Sequence, residues 1–282
     1  MKVLVTGAAG QLGLSLKESC PAAHQMHGVD IDVLDITDRE AVFAAVAALQ
    51  PQVIINAAAH TAVDRAETDA ARAQAINADG ARHLAEAAAA EGARIIQIST
   101  DFVFDGRNSL PYLPGDTPRP LSVYGSSKLA GEQAVLAAAG DSALVVRTAW
   151  VYSAHGSNFV KTMLRLFAER EEVRVVADQI GTPTHAASLA RALWALLDHP
   201  QLAGIQHWTD AGVASWYDFA HAIHELGWVA KGGQPRRLLP ISSEQYPTPA
   251  QRPAYSVLDK SALYERIGTA RHWRDELKTL LG

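Results

Sequence analysis

The stretch KVLVTGAAGQLG, residues 2–13, joins a short apolar run to a loop that contains three glycines. The run KVLVT is apolar and β-branched, which is typical of a buried strand. Gly7, Gly10 and Gly13 then permit a tight turn, a close approach of backbone to a pyrophosphate, and tight packing of the helix that follows. The N–H groups at the start of that helix favour an anion. An ordinary strand-to-helix turn is the alternative, but the order of the elements favours a dinucleotide site.

An acidic residue, Asp30, closes the predicted second strand. A carboxylate at this point can bind a ribose 2′-hydroxyl and would repel a 2′-phosphate. The predicted cofactor is therefore NADH or NADPH, with NADH slightly favoured by Asp30. Arg39 could still accommodate the phosphate, so NADPH stays open. Asp35 is expected beside the adenine, unless it takes part in the start of the next helix beside Thr37.

Short β-rich runs alternate with alanine-rich helical runs through the first half of the chain. Strands are predicted at 2–6, up to 29–30, 53–59, 93–99 and 143–151, and helices at 11 onward, 37–50, 69–91 and 122–139, the second opened by a capping box from Thr37 to Glu40. Because the strands are apolar on both faces, the pattern predicts a Rossmann-type, doubly wound parallel α/β sheet. Ligands bind such sheets at the carboxyl ends of the strands.

The pattern loosens after about residue 152, where proline and tryptophan become more frequent. Residues 1–152, with parts of 153–210 returning to the sheet, are predicted to form the NAD(P)-binding domain. Residues 153–282 are predicted to form mainly a smaller α/β region that binds the substrate.

Composition excludes several other classes of protein. The 282 residues carry a formal net charge of −5, so no basic field attracts nucleic acid. No apolar run approaches the ~20 residues of a membrane span. The single cysteine, Cys20, excludes internal disulfides and points to a reducing cytoplasm. No metal site is expected, since His221 and His224 lack an obvious third ligand.

The segment VYGSSKLAGE, residues 123–132, places Tyr124 and Lys128 four positions apart in a predicted helix. Residues at this spacing share one helix face. The lysine ammonium and the helix dipole, with Ser122 as the N-cap, should both lower the tyrosine pKa. Tyr124 could then donate a proton to a carbonyl oxygen while hydride reaches the carbon. Such pairs also arise by chance, but this one follows a dinucleotide-type fourth strand and a long loop.

A hydroxyl group lies where the fourth strand ends. Thr100 could hydrogen-bond the substrate oxygen beside Tyr124. The alternative is that Ser99 and Thr100 only cap the end of the strand.

These residues together resemble the extended short-chain dehydrogenase/reductases and, within them, the family of dTDP-4-dehydrorhamnose reductases. The matching strings are GAAGQLG, INAAAHTAVDRAE, STDFVFDG, VYGSSKLAGE, RTAWVY, NFVKTMLRL, DQIGTPT and YPTPAQRP, which run from residue 7 to residue 253. The resemblance implies reduction of the C4 ketone of dTDP-6-deoxy-L-lyxo-4-hexulose to dTDP-L-rhamnose.

The resemblance also implies roles for individual residues. Thr100, Tyr124 and Lys128 would be catalytic. The cofactor would be lined by Gly10, Gln11, Leu12, Asp30, Asp35, Ile36, Ala59, His60 and Thr61. The dTDP-4-keto-6-deoxy sugar would contact Asp101 and Trp150, with Asn158, Arg252 and the QIGTPT loop on its nucleotide side. A magnesium-bridged dimer described for some members is not carried over, because Ser15 stands at the corresponding position, so monomer and homodimer both stay open.

Two competing interpretations remain. One is a nucleotide-sugar epimerase or dehydratase on the same scaffold, which Asp101 beside Thr100 keeps open, although Phe102 stands where a dehydratase would have a glutamate. The other is a non-catalytic NADP-binding regulatory subunit. An intact Thr100, Tyr124 and Lys128 argues against the second.

Overall fold

The computed structural model describes all 282 residues and confirms the predicted α/β architecture. Six strands form one sheet in which every neighbouring pair is parallel. In spatial order they are β2 (Gln25–Val29), β1 (Lys2–Thr6), β3 (Val53–Asn56), β4 (Arg94–Thr100), β5 (Ala143–Thr148) and β10 (Gly204–His207). The chain order reverses at β1, and a doubly wound sheet binds its ligands beside such a point.

Some of the helices cover both faces of this sheet, and others belong to the C-terminal part. The α-helices are α1 (Gln11–Glu18), α2 (Arg39–Leu49), α3 (Val63–Ala66), α4 (Ala70–Gln74), α5 (Ala81–Ala90), α6 (Val123–Ala139), α7 (Phe159–Glu169), α8 (Ala186–Ala195), α9 (Trp216–Ile223), α10 (Ser261–Ile267) and α11 (Trp273–Leu281). One apolar core lies between the sheet, α1 and α8, and a second lies between the sheet, α2, α5 and α6. None of the helices is both long enough and apolar enough to cross a bilayer.

A ladder of buried polar side chains crosses three strands near the carboxyl edge of the sheet. Thr6 Oγ1 donates to Asn56 Oδ1 at 2.6 Å, and Asn56 Nδ2 donates to Gln97 Oε1 at 2.7 Å. The three residues are also direct neighbours in the strand register. Because a slip of one residue would leave these buried groups without partners, the ladder fixes the level at which β1, β3 and β4 end.

Six further strands are short or lie outside the sheet: β6 (Val151–Tyr152), β7 (Glu172–Val176), β8 (Ile180–Gly181), β9 (Thr184–His185), β11 (Ala214–Ser215) and β12 (Arg237–Ile241). A third apolar core in the C-terminal part joins α7, α9 and α11 through Phe167, Phe219 and Leu277. β10 and α8 pack with the central sheet although they follow residue 152. The division into two domains stays a prediction.

Some predicted boundaries differ from the structure. The capping box at Thr37 is wrong: the side chain of Asp38 caps α2 by accepting from Ala41 N, while Thr37 donates to Asp35. The Thr37 hydroxyl, which the predicted capping box needed at the start of the helix, is therefore bonded to Asp35 instead. The predicted helix 69–91 contains a π-helical turn, Ala75–Gly80, between α4 and α5.

The third and fifth predicted strands both end early, β3 at Asn56 and β5 at Thr148. Beyond these points the chain turns along the edge of the sheet. The residues that were predicted as strand lie instead beside the cleft described below.

Candidate active site

A cleft of about 880 Å³ opens at the carboxyl edge of the sheet. Its lining includes residues that directly follow β1, β3, β4 and β5, as expected for a parallel sheet. Of the residues predicted from the sequence, the cleft brings together Gly7, Gly10, Gln11, Leu12, Asp30, Ile36, Ala59, Thr61, Thr100, Asp101, Tyr124, Lys128, Trp150, Asn158 and Arg252. Both the cofactor set and the substrate set therefore contribute to one cavity.

The glycine loop leaves the start of α1 accessible. Gly7 has a φ of +68°, and a Cβ there would lie 2.7 Å from the backbone nitrogen of Ala58. At Gly13 a Cβ would lie 2.3 Å from the carbonyl oxygen of Gly7, so Gly13 permits helix packing and does not itself line the cleft. No side chain caps α1 at Gly10, which leaves the first N–H groups of the helix free for an anion. This cradle fits a pyrophosphate.

Asp30 ties the glycine loop to the end of β2. Its Oδ2 accepts from Ala9 N at 2.8 Å and its Oδ1 accepts from Ile31 N at 2.8 Å. Each carboxylate oxygen has a second lone pair that can accept from a ribose hydroxyl. Arg39 is held elsewhere, because its Nε donates to Glu86 at 3.0 Å and it is not part of the cleft lining.

Besides Gly13, two predicted cofactor residues do not line the cleft. The carboxylate of Asp35 is exposed and accepts from the backbone and the hydroxyl of Thr37, which lowers its pKa. His60 is fixed through its backbone, since its N–H donates to Asn77 Oδ1 at 2.8 Å and its carbonyl accepts from Asn77 Nδ2 at 3.1 Å. Neither His60 nor Asp35 is placed among the cleft residues.

Asn158 lies closer to the cofactor half than the sequence predicted. It caps α7, and its Nδ2 donates to Gln11 Oε1 at 2.9 Å. Ser153 Oγ donates to the same oxygen at 3.0 Å. With its oxygen held twice, the Gln11 amide directs its N–H groups away from these partners, at the helix start where the pyrophosphate is expected.

Helix α6, which carries Tyr124 and Lys128, begins as the sequence predicted. Ser122 caps α6 by accepting from Gly125 N at 3.1 Å, and Tyr124 and Lys128 both line the cleft. The Tyr124 ring contacts Phe102 edge-on, with ring centroids 5.6 Å apart. Lys128 Nζ donates to the carbonyl oxygen of Ile98 at 2.7 Å.

The predicted effect on the tyrosine pKa is wrong in this structure. Burial raises the pKa of Tyr124 to about 12, with the nearby Thr100 hydroxyl opposing the rise and the charge of Asp101 adding to it. Burial also lowers the pKa of Lys128 to about 8, partly offset by the charge of Glu132. Desolvation is thus the dominant cause of the tyrosine shift, and Lys128 is not among the groups that set it.

Thr100 and Asp101 form a buried cluster with Ser256, a residue that the sequence did not single out. Thr100 Oγ1 donates to Asp101 Oδ1 at 3.1 Å, and Ser256 Oγ donates to Asp101 Oδ2 at 2.5 Å. Burial raises the pKa of the Asp101 carboxyl to about 6, against the effect of these two hydroxyls. Asp101 is only 1% exposed, so its two oxygens serve Thr100 and Ser256 in this structure.

Arg252 lines the cleft and is already paired. Its Nη2 donates to Asp64 Oδ2 at 2.7 Å and its Nη1 donates to Asp64 Oδ1 at 3.0 Å. Nη1 also donates to Thr248 Oγ1 at 2.6 Å. The guanidinium lowers the pKa of Asp64. Its Nε makes no internal hydrogen bond and can donate to a diphosphate oxygen.

Trp150 lines the cleft with an unusual backbone. Its φ is +48°, a left-handed value that costs a bulky residue about 1–3 kcal/mol. Its indole stacks on Trp216, with ring centroids 3.5 Å apart and an interplanar angle of 5°. Trp216 also lines the cleft and was missed in the sequence. The only local signal was the capping box of α9, in which Ser215 and Asp218 flank it.

The QIGTPT loop supports these rings and does not line the cleft. Gln179 Oε1 accepts from Trp216 Nε1 at 3.2 Å, and Gly181 lies against the Trp150 ring. None of residues 179–184 is among the cleft residues. The loop, which was predicted on the nucleotide-sugar side, therefore reaches the cleft only through the two indoles that it supports.

Comparison with known proteins gives matches over nearly the whole chain. A family model described as RmlD substrate binding domain matches residues 1–282. Among curated proteins, the chain is 41% identical to the spore coat polysaccharide biosynthesis protein SpsK of Bacillus subtilis, covering 99% of this chain and 96% of that protein. It is 43% identical to a dTDP-4-dehydrorhamnose reductase of Burkholderia thailandensis, covering 95% and 93%.

Solved structures agree with the sequence matches. A dTDP-4-dehydrorhamnose reductase from Clostridium acetobutylicum is 42% identical and superimposes with a TM-score of 0.93, covering 99% of this chain and 98% of the other. The enzyme of that name from Bacillus anthracis, in complex with NADP, is 39% identical, with a TM-score of 0.93 and the same coverage. The likeness therefore extends over both halves of the cleft.

Proposed function

Since the chain belongs to the RmlD substrate binding domain family, we propose that it is a dTDP-4-dehydrorhamnose reductase. Its reaction is the NADH- or NADPH-dependent reduction of the C4 ketone of dTDP-6-deoxy-L-lyxo-4-hexulose. The product is dTDP-L-rhamnose, and this is the last step of its synthesis. The observation that carries the proposal is the meeting of Thr100, Tyr124 and Lys128 in one cleft with a pyrophosphate-type glycine loop.

The cofactor is held by residues of the N-terminal half in this proposal. The uncapped start of α1 binds the pyrophosphate, and Asp30 accepts from the adenosine ribose. Bound NADH or NADPH supplies the hydride that adds to the ketone carbon. Lys128 Nζ donates to the carbonyl oxygen of Ile98, and a further N–H of the same ammonium would hold the nicotinamide ribose.

Tyr124 is the proton donor. Because its pKa is raised to about 12, the phenol is protonated at neutral pH and its O–H can pass a proton to the C4 oxygen. The product is a hydroxyl group on the sugar and a phenolate on the protein. The Lys128 ammonium, charged below a pKa of about 8, favours that phenolate until solvent returns the proton.

Arg252 and Trp150 bind the remainder of the substrate. The free Nε edge of Arg252 suits a diphosphate, and the part of the Trp150 indole that Trp216 and Gly181 leave exposed gives the sugar an apolar contact. Both line the same cleft as Tyr124. Thr100 orients the ketone oxygen beside the phenol.

The test is an assay with purified protein, the dTDP-4-keto-6-deoxy sugar and each reduced nicotinamide in turn, followed at the absorbance of the cofactor. Stoichiometric cofactor oxidation with formation of dTDP-L-rhamnose supports the reductase. An epimerase or a dehydratase would convert the sugar without net consumption of NADH or NADPH. A regulatory subunit would bind the cofactor and convert nothing.

A further inference from the structure

The left-handed backbone at Trp150 is the most unusual local feature of the cleft. A β-strand residue could not reach this conformation, and β5 ends two residues earlier, at Thr148. The next strand, β6, begins at Val151 and pairs with β9. The carbonyl of Trp150 also accepts from Thr184 N at 3.2 Å. A strained conformation persists only where the surroundings hold it, and such residues concentrate at functional sites.

Two neighbours hold the indole of Trp150 from different sides. Trp216 stacks parallel to it, with centroids 3.5 Å apart. Gly181 leaves no room on its side, because a Cβ there would lie 2.6 Å from Cε2 of the Trp150 ring. The ring therefore has one position, between an aromatic face and a bare backbone.

Trp216 is itself held in place. Its Nε1 donates to Gln179 Oε1 at 3.2 Å, and its ring contacts Phe159 with centroids 4.7 Å apart. Gln179 Nε2 in turn donates to Ser243 Oγ at 2.9 Å. Trp216 is thus a fixed platform contributed by the C-terminal part of the chain, and it reaches the cleft beside Trp150.

We propose that Trp216 and Gly181 are positioning residues for the substrate, which lock the strained Trp150 indole as a preformed wall of the sugar site. The inference rests on the proposed function and deepens it, because it assigns the sugar nucleotide and not the cofactor to this wall. An indole that is already ordered loses little side-chain entropy when a ligand binds. Loosening Trp150 should therefore weaken substrate binding and leave the cofactor site unchanged.

The test compares Trp216→Ala, Trp216→Phe and Gly181→Ala with Trp228→Phe as the matched control. Trp228 is a half-buried tryptophan of the C-terminal part that does not line the cleft. Two stacked indoles give an exciton couplet in far-ultraviolet circular dichroism, which reports the Trp150–Trp216 pair directly. Steady-state kinetics gives KM for the dTDP-4-keto sugar, and fluorescence titration gives the Kd of NADH.

Trp216→Ala should abolish the couplet and raise KM for the sugar nucleotide about tenfold, which corresponds to about 1.4 kcal/mol, while the Kd of NADH stays within about twofold. Trp216→Phe keeps a stacking ring and should raise KM less. Gly181→Ala adds a methyl group against the Trp150 ring on the side away from Trp216, so it should also change the couplet and raise KM. The inference therefore stays testable if Trp216→Ala does not fold.

An altered couplet with KM equal to that of the Trp228→Phe control would overturn the inference. The same holds if the Kd of NADH rises as much as KM, because the wall would then not be specific to the sugar. Failure of the wild-type protein to oxidise NADH or NADPH with the dTDP-4-keto sugar would instead refute the proposed function. The two failures are thus distinguished by the wild-type assay.

Discussion

Replacement of Glu132 by glutamine tests how helix α6 is held on the sheet. Glu132 follows Lys128 by one helical turn and Tyr124 by two, and its carboxylate meets the guanidinium of Arg147 on β5. Arg147 Nε and Nη2 donate to it at 2.8 and 2.7 Å. The two side chains are 0% and 1% exposed, and the guanidinium lies 5.0 Å from the centre of the Phe104 ring.

The magnitude follows from this burial. Glu132→Gln leaves the charge of Arg147 buried without a counter-charge, which costs about 3–5 kcal/mol of the free energy of unfolding. That is a large part of the roughly 5–15 kcal/mol of a typical domain. Replacing both partners, as Glu132→Met with Arg147→Met, removes both charges and should restore most of the loss.

Urea unfolding followed by circular dichroism measures these changes. The midpoint should fall in Glu132→Gln without a change in the slope m, and it should recover in the double variant. The control is Glu169→Gln, which breaks an exposed ion pair with Arg165. The side chains of Arg165 and Glu169 are 60% and 50% exposed, so this substitution should lower the free energy of unfolding by less than about 1 kcal/mol. The reasoning is refuted if Glu132→Gln costs no more than Glu169→Gln.

Three further predictions concern the reaction. Tyr124→Phe removes the proton donor and should lower kcat about 10²–10⁴-fold with little change in the Kd of NADH; a wild-type kcat would rule out the assignment. The ammonium of Lys128 is present below a pKa of about 8 and lost above it, so activity should fall as the pH rises through about 8. Because the charge of Glu132 raises that pKa, Glu132→Gln should move this alkaline limb of the kcat profile to lower pH, and an unmoved limb would contradict the assignment. Asp30→Asn removes the charge that repels a 2′-phosphate, so the ratio of kcat/KM for NADPH to that for NADH should rise about tenfold or more; an unchanged ratio would show that Asp30 does not set the preference.

The sequence predicted most of the residues that the N-terminal half contributes to the cleft because their determinants are local. The glycines, the start of α1 and Asp30 lie within the first 30 residues, and each acts through its own backbone or the next strand. Ser122, Tyr124 and Lys128 likewise share one helix, whose geometry fixes their relative positions. Spacing along the chain is sufficient information in both cases.

The part of the cleft around Asp101, Trp150 and Arg252 depends on contacts between distant residues, which no local pattern contains. Ser256 reaches Asp101 across 155 positions, and Arg252 reaches Asp64 across 188. Trp216 meets Trp150 only because two separate loops converge on the cleft. Recognition of family strings placed Arg252 and Trp150 there, but it did not identify the partners that hold them.

The tyrosine pKa shows the same limit. Spacing predicted that Lys128 would lower the pKa of Tyr124, but it could not show that the ammonium donates to Ile98 or that burial would dominate. A phenol whose pKa is raised to about 12 is protonated at neutral pH, as a phenol of ordinary pKa also is, and general acids and general bases alike act best with a pKa near the operating pH. The choice between a reductase and an epimerase therefore rests on net consumption of NADH or NADPH and not on this pKa.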